Sequence, residues 1–460
     1  AYQDDPAGKL AEMAANTQFE DLPADVVETM KKAMLDTMAV MIGGSSRHPV
    51  PEANEVIKKR WGGMGESKTL IFGTQAPAAE AAIVNGTMGR ALDFGDVHNT
   101  GGHLSEYIIP AMLTALPLAD GKVSGKDFIT AYVVGAEWGA RQHTCCRFQY
   151  HPLGMPGACA WAGITPAVAR MLGLDKDQIW SAEGFSYTAH SMGEQQKVFE
   201  GCDAQRLHHG FFGSQAIFAS ELARAGLTGV HGIYYGECGM LRYVDWDDIE
   251  PEILTKDLGT YWHWVDGLTV KPFASCKFTH CVVSAAIKLR EQYNIDYHDV
   301  ESIHCIVARN AGPTIQPSRW DPQDAGAAMF SIPYAISHAI MHGDVFMDAF
   351  EENELFDAEK RELMKHVTVE ISDDPNIGIF DGYTTEIHMK DGTVHSMVEW
   401  DIMGGPTCPM TWKQMEGKFW KCVPYSAVEL PKEKLDRIVW MCENLEQVED
   451  MNEFVENLTL

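Results

Sequence analysis

No two cysteines in this 460-residue chain are spaced as Cys-x-x-Cys, although eleven are present. A structural zinc site built on that spacing is therefore excluded. Most of the thiols, among them Cys145, Cys146, Cys159 and Cys442, sit in apolar helical contexts, the usage of small buried groups in a reducing compartment. No uninterrupted apolar run approaches the roughly 20 residues that span a bilayer. The opening Ala1-Tyr2-Gln3-Asp4-Asp5-Pro6 lacks the basic-then-apolar order of a secretory signal. A cytoplasmic location away from membranes is the expectation. Positive charge is also scarce: 36 Lys and Arg stand against 65 Asp and Glu, for a net charge of −29. The acidic residues are spread along the chain, so its field repels phosphate backbones and nucleic acid is not an expected partner. The same field repels acidic small molecules. A carboxylate ligand would need a local cluster of donors.

With 45% hydrophobic and 22% charged residues, the composition is that of an ordinary folded protein. Its length suggests about two to three domains. The first two-thirds read as helix after helix. Val27, Met30, Met34, Met38 and Met41 recur at three- to four-residue spacing until Gly43-Gly44 ends the pattern. Similar stretches follow at 76–92, 107–119, 126–141, 157–172 and 211–226. The texture changes near residue 267. Ile303, Cys305 and Val307 alternate with polar neighbours, as do Val367, Val369 and Ile371, and Asp391-Gly392 marks a hairpin turn. Helical patterns at 280–292 and 327–342 lie among these strands, and helices return at 411–422 and 431–448. The expected fold is mainly α: a large all-helical domain (1–266 and 401–460) with a smaller inserted α+β lid domain (267–400).

Chemistry concentrates in Ala91-Leu92-Asp93-Phe94-Gly95-Asp96-Val97-His98 and the His103-Leu104-Ser105 that follows. Two carboxylates and two imidazoles stand here among Gly95, Gly101 and Gly102, just beyond an Ala-rich helical pattern. Imidazole moves protons near neutral pH, and glycine lets backbone bend beside a ligand. Such a cluster reads as a proton-transfer site. It reads equally well as a helix-capping Asp93 beside surface histidines.

The order of several landmarks resembles the 2-methylcitrate dehydratase family, MmgE/PrpD, which also holds cis-aconitate decarboxylases and an iminodisuccinate epimerase. Asn85-Gly86 followed by Ala91–His98 is similar to its "NG…ALDFDDxH", and His103-Leu104-Ser105 to its "HPS". Tyr150-His151-Pro152 stands at its "WH" pair, and Asp203-Ala204-Gln205-Arg206-Leu207-His208-His209-Gly210 at "DxKRLHxG". Lys271-Pro272-Phe273-Ala274-Ser275-Cys276, with His280 beyond it, resembles "KxYPxCxxxH"; Phe330–Tyr334 and Lys418-Phe419 close the series. The likeness implies a helical domain and an α+β lid around a cleft, a homodimer, and chemistry without metal, flavin or nucleotide.

What the likeness implies for activity is a cofactor-independent lyase, read first as a hydro-lyase, that takes a proton from carbon beside a carboxylate of a small hydroxy acid. An epimerase, a decarboxylase and a non-catalytic acid-binding relative are the alternatives. The catalytic candidates are Asp93, His103, His151 and Lys271, with His103 as first choice for base or acid and Asp93 holding an imidazole in one tautomer. The substrate-binding candidates are His98, Ser105, Gln205, Arg206, His208, Cys276 and His280, with Lys271 and Arg206 as carboxylate anchors. No metal ligand set is expected. His151-Pro152 and Lys271-Pro272 could instead be turns, and His208-His209 a helix-end pair. Three positions depart from the pattern. Gln205 replaces a lysine, Gly95 the first Asp of "DD", and Ala274 a proline.

Overall fold

The computed structural model describes residues 4–100, 102–146, 161–190, 197, 200, 202–243, 249–400 and 402–460. The architecture is mainly helical. Ala24–Gly44 forms the central helix, and Met30, Met34, Met38 and Met41 along it have no exposed surface. Ala78–Arg90, Ser105–Ala115 and Gly125–Cys146 pack on it, and Trp161–Met171 and Ala204–Arg224 pack on those helices in turn. Two of these approach unusually closely. A Cβ on Gly86 would fall 2.8 Å from the Gly210 Cα, and one on Gly210 would fall 2.1 Å from the Ile83 carbonyl oxygen. Only glycine allows that spacing. It brings the first turns of Ala204–Arg224 against the end of Ala78–Arg90.

Residues 300–399 contribute a four-stranded sheet in the order 367–372, 300–308, 383–389, 394–399. The first two strands run parallel, with Cys305 opposite Val369. The last two form the expected hairpin, whose Gly392 takes φ 89° at the turn. The helices differ from expectation at their ends. The pattern at 327–342 divides into Ala325–Met329 and Ile332–His342. Ser331 starts the second piece by accepting from the Tyr334 N–H, with Pro333 in the first turn. The helix expected from 211 begins at Ala204, so His208 and His209 lie inside it and are not a helix-end pair.

Two connections position the functional loops. Val97-His98 and Leu268-Thr269 form a two-residue antiparallel ladder, which ties the Asp93–His103 segment to the Lys271 segment. Beneath them, the helix Trp412–Cys422 packs on Ala24–Gly44 and delivers the Lys418 ammonium. Its Nζ donates to the Phe94 carbonyl (2.8 Å) and the Lys271 carbonyl (2.9 Å), and pairs with Asp36 Oδ1 (2.6 Å). Two backbone acceptors and one buried carboxylate thus surround the ammonium. Among the described residues, no helix is long and apolar enough to cross a membrane.

Asp36 is fully buried, so removing its partner strands a charge as well as two carbonyls. Lys418→Met should lower unfolding free energy by about 3–5 kcal/mol, read from urea denaturation. Adding Asp36→Asn should recover part of the loss. A decrease under about 1 kcal/mol would show that the ammonium does not hold these loops.

Candidate active site

The helix Ala78–Arg90 ends on Arg90, and the chain then turns through Asp93 in the left-handed region, φ 47°. Aspartate is one of the few non-glycine residues that accept this conformation, and such residues gather at functional sites. The turn aims the Asp93 carboxylate inward at two cations. Lys271 Nζ lies 3.2 Å from Asp93 Oδ2 and donates to the Asp93 carbonyl at 2.7 Å. Arg90 Nη1 pairs with Asp93 Oδ1 in a close contact. Burial alone would raise the Asp93 carboxyl, but Arg90 and Lys271 together hold it below the usual carboxylate range.

His103 stands over this group with its side chain 18% exposed, whereas the Asp93 and Lys271 side chains are at 5% and 1%. Its Nδ1 lies 2.9 Å from the Asp96 carbonyl, which can only accept, so Nδ1 carries the hydrogen and Nε2 is left as an acceptor. Arg90 Nη1 is 3.3 Å from Nε2. Asp93 Oδ1 is 3.9 Å away, beyond hydrogen bonding, so the expected Asp93–imidazole contact is replaced by Asp96 carbonyl on one nitrogen and Arg90 on the other. Burial, with Arg90 and Lys271 nearby, drives the His103 pKa well below its ordinary value. The imidazole is neutral.

Three members of the cluster are absent from the expected set. Arg90 is one. Glu106, without exposed surface, places Oε1 at 3.2 Å from Arg90 Nη1, 3.1 Å from His103 Nδ1 and 3.4 Å from His209 Nδ1. Burial pushes its carboxyl up to about 8 against the pull of Arg90 and Lys271. His209, buried beside Tyr107, is the third. The available signal was spacing: Arg90 to Asp93 and His103 to Glu106 are each three residues apart.

The remaining candidates fall in different places. His98 does not join the cluster: its Nε2 lies 2.8 Å from the His263 carbonyl and its Nδ1 2.8 Å from Thr100 Oγ1, because the short ladder turns it toward residues 263–267. Ser105 also faces away from the cleft. As the first residue of its helix, it spends its N–H and hydroxyl on the Asp96 carboxylate, with the Tyr132 hydroxyl 2.6 Å from Oγ. Cys276 is buried near Asp93 and Arg90, and burial pushes its thiol up to about 12, so it is no thiolate nucleophile. His280 is buried with Nε2 3.1 Å from the Ser275 carbonyl. Gln205 is buried in the first turn of Ala204–Arg224, and His208 bonds through Nδ1 to the Gln205 carbonyl. Arg206 points into a neighbouring groove, where Nη1 donates to the His48 carbonyl at 3.3 Å near Asp324 and Gly326. His151 lies outside the described residues.

Among the described residues, His338, His342 and Glu354 bring three potential metal-ligand atoms within 4.8 Å of one another. Lys360 Nζ already pairs with Glu354 Oε2 at 2.6 Å. That ammonium competes directly with any cation, and the group reads as an ion-paired joint between helices.

Residues 8–251 match the MmgE/PrpD N-terminal domain and residues 273–444 the MmgE/PrpD C-terminal domain. The cis-aconitate decarboxylase-like protein oryM of Aspergillus oryzae is 26% identical, over 97% of this chain and 96% of its own. The cis-aconitate decarboxylase of Aspergillus terreus is 24% identical over 75% and 73%, and that of Homo sapiens 24% over 92% and 88%.

Glu106 yields a pH signature in stability. Its carboxyl titrates near 8 in the fold, against about 4.3 for an unfolded glutamate. Between those values the native state binds the extra proton, so this contribution falls as pH rises through the window. Urea midpoints from pH 5 to 8.5 should show a decline that Glu106→Gln flattens. An identical slope in the variant would contradict the assignment.

Proposed function

The chain belongs to the MmgE/PrpD family, and on that premise we propose that it is a cofactor-independent lyase working at carbon beside a carboxylate of a small di- or tricarboxylic acid. The observation carrying this reading is the neutral, partly exposed His103 imidazole over the buried Asp93–Lys271–Arg90 group. In this reading His103 Nε2 takes the proton from the carbon acid, or returns one to it. Breaking that C–H bond places negative charge next to an existing carboxylate, so the site needs fixed donors around it. Lys271 and Arg90 are the cations at hand. Asp93 and Asp96 are the carboxylates beside them, and the two cations concentrate donors locally within a chain of net charge −29. That supports an anionic substrate despite the repulsive overall field.

The first reaction we propose is loss of water from a hydroxy acid. The names of the relatives favour a second reading, decarboxylation of an unsaturated tricarboxylate. We further propose a division into a helical domain (1–266 and 401–460) and a lid (267–400), a homodimer in the cytoplasm, and His151 as the second proton-handling group.

Incubation with cis-aconitate and a panel of hydroxy acids in deuterated water separates the readings. Loss of water with deuterium exchange marks a hydro-lyase, carbon dioxide a decarboxylase, and exchange with inversion an epimerase. Binding without any of these marks an acid-binding protein and ends the lyase reading. His103→Ala should cut turnover by about 100-fold or more while the melting temperature stays within a few degrees. Wild-type rates in that variant would remove His103 from the mechanism. Gln205→Lys should shift preference toward a substrate with one more carboxylate; an unchanged ranking would put position 205 away from the substrate.

A further inference from the structure

We propose that Glu106 is the proton store behind His103, a positioning residue that trades a proton with imidazole Nδ1 while Nε2 serves the substrate carbon. The inference rests on the lyase reading and adds to it a residue that lies outside every landmark motif.

The geometry is specific. One oxygen, Oε1, faces His103 Nδ1 (3.1 Å), His209 Nδ1 (3.4 Å) and Arg90 Nη1 (3.2 Å), while Oε2 has no hydrogen-bond partner among the described residues. A carboxylate present only to neutralise Arg90 would be redundant, since Asp93 already pairs with that guanidinium. Nor is the space accidental. A Cβ at Gly95 would fall 2.1 Å from Glu106 Oε2, so the loop leaves room for this carboxyl. Position 95 is where the resemblance pattern carries an aspartate. In this chain the acid enters from the helix Ser105–Ala115 instead.

The charged and titratable groups around Glu106 come from every neighbouring element: Arg90 from one helix, His209 from another, Asp93, Asp96 and His103 from the loop, and Lys271 from the ladder segment. His143 faces the same imidazole from the helix Gly125–Cys146. The two carboxyls of the cluster are thereby set apart. Asp93 is held ionised by two cations, whereas Glu106 titrates near 8 and can both give and take a proton.

The exchange balances without a co-reactant. With Glu106 ionised, as the C–H bond breaks and Nε2–H forms, the Nδ1–H turns from the Asp96 carbonyl, its bond breaks and the proton joins Glu106 Oε1. The imidazole ends neutral in its other tautomer, and the carboxylate becomes a carboxylic acid. The reverse sequence delivers a proton to carbon. Because His103 and Glu106 share one proton, their titration belongs to the pair.

Glu106→Gln keeps the shape and cannot ionise. On whichever acid the wild type converts, kcat should fall about 30- to 1000-fold with KM within about threefold, and the limb of the kcat profile near pH 8 should vanish. Glu106→Asp should restore part of the rate with a displaced limb. In parallel, carbon-13 NMR of glutamate-labelled wild type should show one carboxyl titrating near pH 8 that is missing from Glu106→Gln and displaced in His103→Ala. Wild-type kcat with an unchanged limb in Glu106→Gln would overturn the proposal. So would the absence of any glutamate titrating above about pH 6, or a Glu106 titration indifferent to His103→Ala. Should Glu106→Gln fail to fold, as judged by circular dichroism, the Glu106→Asp limb and the wild-type titration decide. If the wild type converts no acid on the panel, the lyase reading fails on its own, and the NMR titrations still accept or reject the Glu106–His103 exchange.

Discussion

One buried ammonium organises the candidate site. Lys418 holds the carbonyls of Phe94 and Lys271 from below, and its charge is balanced by Asp36 on the central helix. The two loops it grips are far apart in sequence, and neither has regular structure beyond the two-residue ladder beside them. Ordering such segments costs roughly 1–2 kcal/mol per residue in backbone entropy. A short ladder cannot offset that alone. A cation that donates to two carbonyls and pairs with a carboxylate in a dry interior supplies a strong restraint, and the adjacent Phe94 ring, 3.7 Å from Nζ, adds a cation–π contact. Asp93 and Lys271 meet because their backbones are pinned to the same point.

On this frame, burial sorts otherwise similar groups. Asp93 and Glu106 are both carboxyls near Arg90, yet one is held ionised and the other is driven toward neutrality. The difference lies in the pairing. Asp93 has two cations within ion-pair distance, Arg90 at Oδ1 and Lys271 at Oδ2, whereas Glu106 has Arg90 alone beside two neutral imidazoles. Environments that push a pair of acids apart are the usual basis of acid and base roles within one pocket. The histidines follow the same rule. His103, His208 and His209 are all driven toward the neutral form by burial.

Much of the helical framework was legible because its signal is periodic. The methionine spacing after Val27 gave the central helix, and Asp391-Gly392 gave the hairpin. Helix ends were less legible. The break at Ser331 depends on one side-chain cap inside an apolar run, and the start at Ala204 lies in a stretch with little amphipathic pattern. For the site, Asp93, His103 and Lys271 were visible as motif residues. Arg90 and Glu106 were marked only by their three-residue spacing from Asp93 and His103, and His209 enters through helix packing at Gly86 and Gly210, a contact that no local pattern encodes. His98 and Ser105 sat in the most suggestive motif and proved to hold the loop's shape instead. A motif marks where backbone is constrained, without distinguishing the side chains that shape the loop from those that face the pocket.

The left-handed turn at Asp93 limits which replacements are informative there. Asparagine shares aspartate's tolerance for that region, so Asp93→Asn changes charge while leaving the bend nearly undisturbed. Alanine or glutamate would carry a conformational penalty on top of the electrostatic one, and their effects would mix the two. The residue's torsion angle thus picks out its own cleanest chemical probe. It also narrows the neutral drift open to this position to a handful of amino acids, whatever acid the pocket accepts.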